Sequence, residues 1–149
     1  MKSYTDIEQS KRLGEIIPLE SADMCYKCIG EDPYDVVLRP YSEWREEYKG
    51  LLVAKEVDVI PCWSLAALMD MLPSKFTQKG KHSETTYKIH IRKYALTEDV
   101  DLYQIAYGNY KFYEDGSSSW KDMINTGEKE NLIDAVFQMI CWLKENKKL

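Results

Sequence analysis

The chain has 149 residues, 44% of them hydrophobic and 30% charged, with 7 Gly and 5 Pro and a formal net charge of −5. This profile fits a single domain over residues 1–149, large enough to build a core without disulfides or a structural metal. No stretch approaches the roughly 20 apolar residues that span a bilayer, and Met1-Lys2-Ser3-Tyr4-Thr5-Asp6 lacks the apolar run of a signal peptide. The expectation is therefore a cytoplasmic protein with no membrane partner.

In chain order, Thr5-Asp6-Ile7-Glu8 matches a capping box and predicts a short helix from Thr5 to about Leu13, ended by Gly14. Pro18 and Ser21 introduce a second helical turn over Ala22 to Tyr26, followed by an acidic loop with Gly30 and Pro33. Val36-Val37-Leu38 reads as a brief extended piece, and Ser42 as the cap of a helix from Glu43 to Tyr48 that exits at Gly50. Ser64 then caps Leu65 to Leu72, with Pro73 as the stop. Leu65, Leu68, Met69 and Leu72 fall at i, i+3, i+4 and i+7 and form one buried face.

From Thr85 to Glu114 the period changes to two, and β-branched and aromatic residues become frequent. Tyr87, Ile89 and Ile91 alternate with Lys88, His90 and Arg92; Tyr103, Ile105 and Tyr107 alternate with Leu102, Gln104 and Ala106. Gly108-Asn109 reads as a two-residue hairpin turn leading to a third strand, Tyr110 to Glu114. Asp115 to Ser119 is a turn, and Trp120 to Ile124 a further helical turn. A last helix runs from about Asn131 to Glu145, with Leu132, Ile133, Val136, Phe137, Ile140 and Leu143 on one face. The fold expected is α+β: a three-stranded antiparallel meander over about 85–114 packed against a C-terminal helix over about 131–145. Several short helices make up a helical N-terminal part over about 4–73.

Three segments carry a resemblance. They are Tyr4-Thr5-Asp6-Ile7-Glu8-Gln9-Ser10 through Ser21-Ala22-Asp23-Met24-Cys25-Tyr26, then Ile60-Pro61-Cys62-Trp63-Ser64-Leu65, and Asp134-Ala135-Val136-Phe137-Gln138-Met139-Ile140-Cys141-Trp142-Leu143. In this order, over about a third of the chain, they resemble a set of short uncharacterised proteins common in gut Bacteroidetes and their prophages. The resemblance implies a mobile-element origin and assigns no activity, cofactor, partner or catalytic residue.

Four cysteines occur, at Cys25, Cys28, Cys62 and Cys141; with no export signal they are expected as reduced thiols. Cys25-Tyr26-Lys27-Cys28 has the C-x-x-C spacing of a zinc half-site or a redox dithiol. Only scattered Cys62, Cys141, His82 and His90 could complete a zinc site, so Cys25 and Cys28 are weak metal candidates and read better as thiols on a short helix. No cofactor is expected. Glu98, Asp99 and Asp101 could hold a divalent cation but fit a hydrated turn better. No P-loop, G-x-S-x-G, Rossmann or H-E-x-x-H pattern is present, so no catalytic residue is assigned.

Charge is unevenly placed. Residues 20–61 hold ten acids against five bases, whereas residues 74–94 hold Lys75, Lys79, Lys81, Lys88, Arg92 and Lys93 against Glu84 alone. The basic block fits a lysine-rich loop leading into a strand. If Tyr87, Ile89, Ile91, Tyr103, Ile105, Tyr107 and Phe112 face the last helix, the opposite sheet face presents Lys88, His90, Arg92, Gln104, Lys111 and Tyr113, cationic on an acidic protein. That face is the candidate partner-binding surface. The function expected is a non-enzymatic accessory or protein-interaction role with an unknown protein partner. The alternatives are a small metal-dependent hydrolase or nuclease-like enzyme, and a weak nucleic-acid binder using the same face.

Overall fold

Asp6, not Thr5, caps the first helix. In the computed structural model, which describes residues 2–149, the Asp6 carboxylate accepts from the Gln9 amide and the Gln9 side chain accepts from the Asp6 amide. This is a capping box one residue later than expected. Helix α1 (Ile7–Ile16) runs through Gly14. Thr5 is displaced from the cap because its side chain is buried: its hydroxyl meets Ser10 Oγ at 2.7 Å and accepts from the Trp63 amide at 3.1 Å.

The chain divides into two compact units, residues up to Asp70 and residues from Met71 on. The first corrects the expected helical N-terminal part, because it contains a three-stranded antiparallel sheet of β1 (Met24–Ile29), β2 (Asp35–Val37) and β3 (Val57–Cys62), in the order β2-β1-β3. The turn at Leu19–Ser21 is 3-10, and of the helical turn expected over Ala22 to Tyr26, the residues from Met24 on are strand β1. Met24, Tyr26, Ile60 and Cys62 pack on one face of this sheet, and Cys25, Trp44, Val57 and Val59 on the other. Burial on both faces explains why no clean alternation marks β1. Trp44 comes from α2 (Tyr41–Glu47), which Pro40 rather than Ser42 precedes as N-cap, and α3 (Lys49–Val53) absorbs Gly50. Helix α4 (Leu65–Met71) starts as expected, with Ser64 Oγ accepting from the Ala67 amide.

The second unit holds a four-stranded antiparallel sheet, β4 (Lys75–Lys79), β5 (Glu84–Ala95), β6 (Asp101–Phe112) and β7 (Ser118–Asn125), joined in sequence order and followed by α5 (Leu132–Glu145). An antiparallel meander followed by a C-terminal helix is as expected, but the meander has four strands over residues 75–125 rather than three over 85–114, and three finer expectations are corrected. Part of the lysine-rich loop is strand β4. Gly108-Asn109 is no turn, since β6 passes straight through it. Trp120 to Ile124 is strand, with a bulge opposite the Tyr107/Gly108 step that places Tyr107 against Ile124 and Gly108 against Asp122. The bulge interrupts the two-residue period and hides the strand.

Helix α5 covers one sheet face. Ile133, Val136, Met139, Ile140 and Leu143 are buried, as are Tyr103, Ile105 and Tyr107 of β6, and Phe76 of β4 lies between Tyr107, Tyr87 and Trp142. Fourteen helical residues reach about 21 Å and twelve strand residues about 40 Å, so the helix cannot cover the whole β5–β6 hairpin. The uncovered distal part leaves Ile91 41% exposed; Tyr94 on the other face and Leu96 just beyond β5 are exposed as well. Among the described residues no helix is long and apolar enough to cross a membrane.

Candidate functional site

The face of the second sheet opposite Ile105 and Tyr107 is set by register. The pairs Lys88↔Gly108, His90↔Ala106 and Arg92↔Gln104 place Lys88, His90, Arg92 and Gln104 together on it, as expected. Lys111 and Tyr113 are not there. Because β6 does not turn at Gly108, Lys111 falls on the same parity as Tyr107, and Tyr113, which follows the strand, hydrogen-bonds with Ser119. Their places are taken by Tyr110 and Phe112, 55% and 81% exposed.

Trp120 and Asp122 of β7 complete the face. Arg92 donates to both Asp122 oxygens, at 2.5 and 2.8 Å, and to Gln104 Oε1 at 2.8 Å. Trp120 Nε1 donates to Asp122 at 2.6 Å, and the Trp120 ring meets His90 edge-on at 4.7 Å and Tyr110 at 5.3 Å between centroids. The Arg92 hydrogen bonds, opposed by desolvation, hold the Asp122 carboxyl below the usual carboxylate range. Arg92 is thus a neutralised structural residue, and the face takes its positive character from elsewhere. Lys75 of β4 pairs directly with Lys88 of β5, both exposed, and Lys79 pairs with Glu84. Like charges directly opposite each other are unfavourable in a sheet.

Phe112, expected against the last helix, lies on the other face, and Tyr110, Trp120 and Asp122 were missed from the sequence. Continuing the Gln104/Ala106 parity of β6 through Gly108 would have found Tyr110 and Phe112. The Trp120/Asp122 alternation was present but read as helical because the bulge at Met123 breaks it.

The C-x-x-C pair cannot act as one chelating unit. On a strand, residues three apart point to opposite faces; Cys25 is buried with Trp44 and Val57, while Cys28 donates to the Asp32 carbonyl at 2.7 Å. Burial pushes the Cys25 thiol up to about 11, away from the reactive thiolate range. The expected short helix for these thiols is strand β1. Among the described residues no three His, Cys, Asp or Glu side chains converge on a common point. Glu98, Asp99 and Asp101 lie around the β5–β6 turn, where Asp101 pairs with Lys93 at 2.7 Å and Thr97 Oγ1 accepts from the Asp99 and Val100 amides.

A concavity of about 500 Å³ lies in the first unit beside α2 and α3. Its charges, Glu20 and Glu46 with Arg45 and Lys49, balance, and Leu19, Tyr41 and Val53 supply its apolar wall. No protein-family model, curated protein or solved structure matches the chain.

Proposed function

We propose that the chain is a non-enzymatic accessory protein of mobile-element origin that binds an acidic protein partner through the uncovered face of its second sheet, in a cytoplasmic setting. The mobile-element origin rests on the resemblance of its three segments to short phage-associated Bacteroidetes proteins. The observation that carries the binding reading is the combination on one face of exposed Tyr110 and Phe112 with the directly opposed Lys75 and Lys88. Large exposed aromatic residues enrich interaction surfaces, and two adjacent uncompensated lysines favour an anionic partner. Arg92 contributes order, since its charge is spent on Asp122.

The same pairing of aromatic rings with lysines supports a second reading, weak binding of single-stranded nucleic acid by base stacking. The two are separated with one set of variants. Tagged wild type, Lys88→Glu, Tyr110→Ala and Phe112→Ala proteins are used to capture and identify a partner from host lysate, and the purified pair is then titrated against salt. Loss of the same purified protein partner in all three variants supports the proposal. A partner retained at full affinity by all three removes it. Affinity for oligothymidylate that falls steeply with salt and is lost in Tyr110→Ala favours the second reading instead. Arg92 is left intact, because Arg92→Glu would set two carboxylates against each other at Asp122.

A further inference from the structure

We infer that the distal edge of β5 receives an extended acidic peptide as an added strand, continuing the line of β4. This inference deepens the proposed interaction role by naming the form of the partner, and it rests on that reading.

The backbone supplies the first part of the argument. Strand β4 pairs with β5 only from Glu84 to Lys88. Beyond it, the Ile89 amide donates to Ser74 at 3.0 Å, and then the chain leaves the edge because the Pro73 carbonyl accepts from the Tyr107 hydroxyl on the helix-covered side of the sheet. Strand β5 continues to Ala95. The Ile89 amide points toward β4, so the two-residue period aims Ile91, Lys93 and Ala95 the same way, away from β6.

The partner strand agrees. Opposite Ile91, the Ile105 amide donates to Thr126 Oγ1 and its carbonyl accepts from the Thr126 amide; opposite Lys93, Tyr103 exchanges both backbone bonds with Lys129. Ile105 and Tyr103 thus turn their backbone groups away from β5. Ile91↔Ile105 and Lys93↔Tyr103 are the wide, non-bonded pairs of the ladder, and the backbone groups of Ile91 and Lys93 face outward.

A bare edge of this kind is a template for strand addition. Ile91 is exposed on the α5 side and Tyr94 on the other, offering apolar contact to alternate residues of an incoming strand.

Charge selects the occupant. The added strand begins where Lys75 and Lys88 face each other, and farther along the edge Lys93 is paired with Asp101. The surplus is positive, and an acidic residue beside Lys75 and Lys88 relieves their repulsion.

The test uses the whole chain and a synthetic peptide of about ten residues alternating glutamate and valine, with a lysine/valine peptide as control. The expected result is saturable binding of the acidic peptide alone, with amide exchange at Ile91 and Lys93 slowed about ten-fold or more on binding. Ile91→Pro removes an amide that makes no bond to β6 and so spares the ladder; it is expected to abolish binding while the circular dichroism stays that of wild type. Lys75→Glu/Lys88→Glu is expected to weaken binding about ten-fold. The exchange readout needs no variant and decides the matter even if Ile91→Pro misfolds. Unchanged exchange at Ile91 and Lys93 under saturating acidic peptide overturns the inference. So does slow exchange there without peptide in a protein that sediments as a dimer. Protection confined to Tyr110 and Trp120 overturns strand addition and leaves the face reading standing, whereas an edge that binds peptide beside face variants that keep their partner overturns the face reading.

Discussion

Trp120 lies across the backbone of Gly108. A Cβ at position 108 would sit 2.9 Å from the indole Cε2 and Cζ2 atoms and 2.2 Å from the Lys121 carbonyl oxygen. The glycine is required by close approach, and the indole covers the gap that its missing side chain leaves between strands. Gly108→Ala therefore has to separate β6 from β7 as well as move Trp120. The expected cost is about 3 kcal/mol, in the range of overpacked cores, measured by urea denaturation. The His90 and Tyr110 ring resonances should shift with the displaced indole. A variant as stable as wild type would show that β7 does not pack here as described.

The same glycine shows how much of the fold and site the sequence made legible. Gly-Asn between two aromatic strands is a strong hairpin signal, and from Gly108-Asn109 alone the turn reading is reasonable. The competing requirement, space for Trp120 twelve residues later, is tertiary and leaves no local mark. Reading a turn there shifted Lys111 and Tyr113 onto the wrong face and hid Tyr110 and Phe112. Lys88, His90, Arg92 and Gln104 were placed correctly because uninterrupted alternation fixes the face of a strand. Strand β1 escaped notice for a different reason: both of its faces are buried, and Cys25-Tyr26-Lys27-Cys28 imitates a short helical run. Helix α5 was legible nearly to its ends because one apolar stripe over fourteen residues admits no other period.

The Arg92–Asp122 pair should give a distinct acid profile. Hydrogen bonding to Arg92 holds the folded Asp122 carboxyl below its unfolded value near 3.8, so the folded state binds the proton less well than the unfolded state. The pair's stabilisation is therefore fully present above about pH 5 and is lost as pH falls below 4 through the lowered folded value. Comparing urea midpoints of wild type and Asp122→Asn, the gap should be constant between about pH 5 and 7 and shrink below about pH 4. Removing one partner of this partly buried bidentate pair should cost about 2 kcal/mol at neutral pH. A gap independent of pH would mean that the carboxylate charge contributes nothing.

Thiol reactivity should sort by strand face. Burial raises both the Cys25 thiol, to about 11, and the Cys62 thiol, and both are inaccessible; Cys28 is partly exposed on the opposite face of β1 from Cys25. Iodoacetamide at pH 8 followed by peptide mapping should modify Cys28 well before Cys25 or Cys62, and denaturant should abolish the difference. Equal labelling of Cys25 and Cys28 in the native protein would contradict strand β1.

Thr5 is the polar residue on which the first unit's entry depends. Its hydroxyl is fully buried, bonded to Ser10 Oγ and to the Trp63 amide, while its carbonyl accepts from the Tyr26 hydroxyl at 2.6 Å. These bonds tie the residue before α1 to the end of β3 and the middle of β1. Thr5→Val keeps the shape but leaves the Trp63 amide without its side-chain acceptor in a dry site, which should cost about 2 kcal/mol. Thr5→Ser keeps the hydroxyl and removes one methyl, at about 1 kcal/mol. The order of the two variants carries the conclusion: if Val proved the milder substitution, packing rather than hydrogen bonding would hold this junction, and the Trp63 amide would have to find another acceptor.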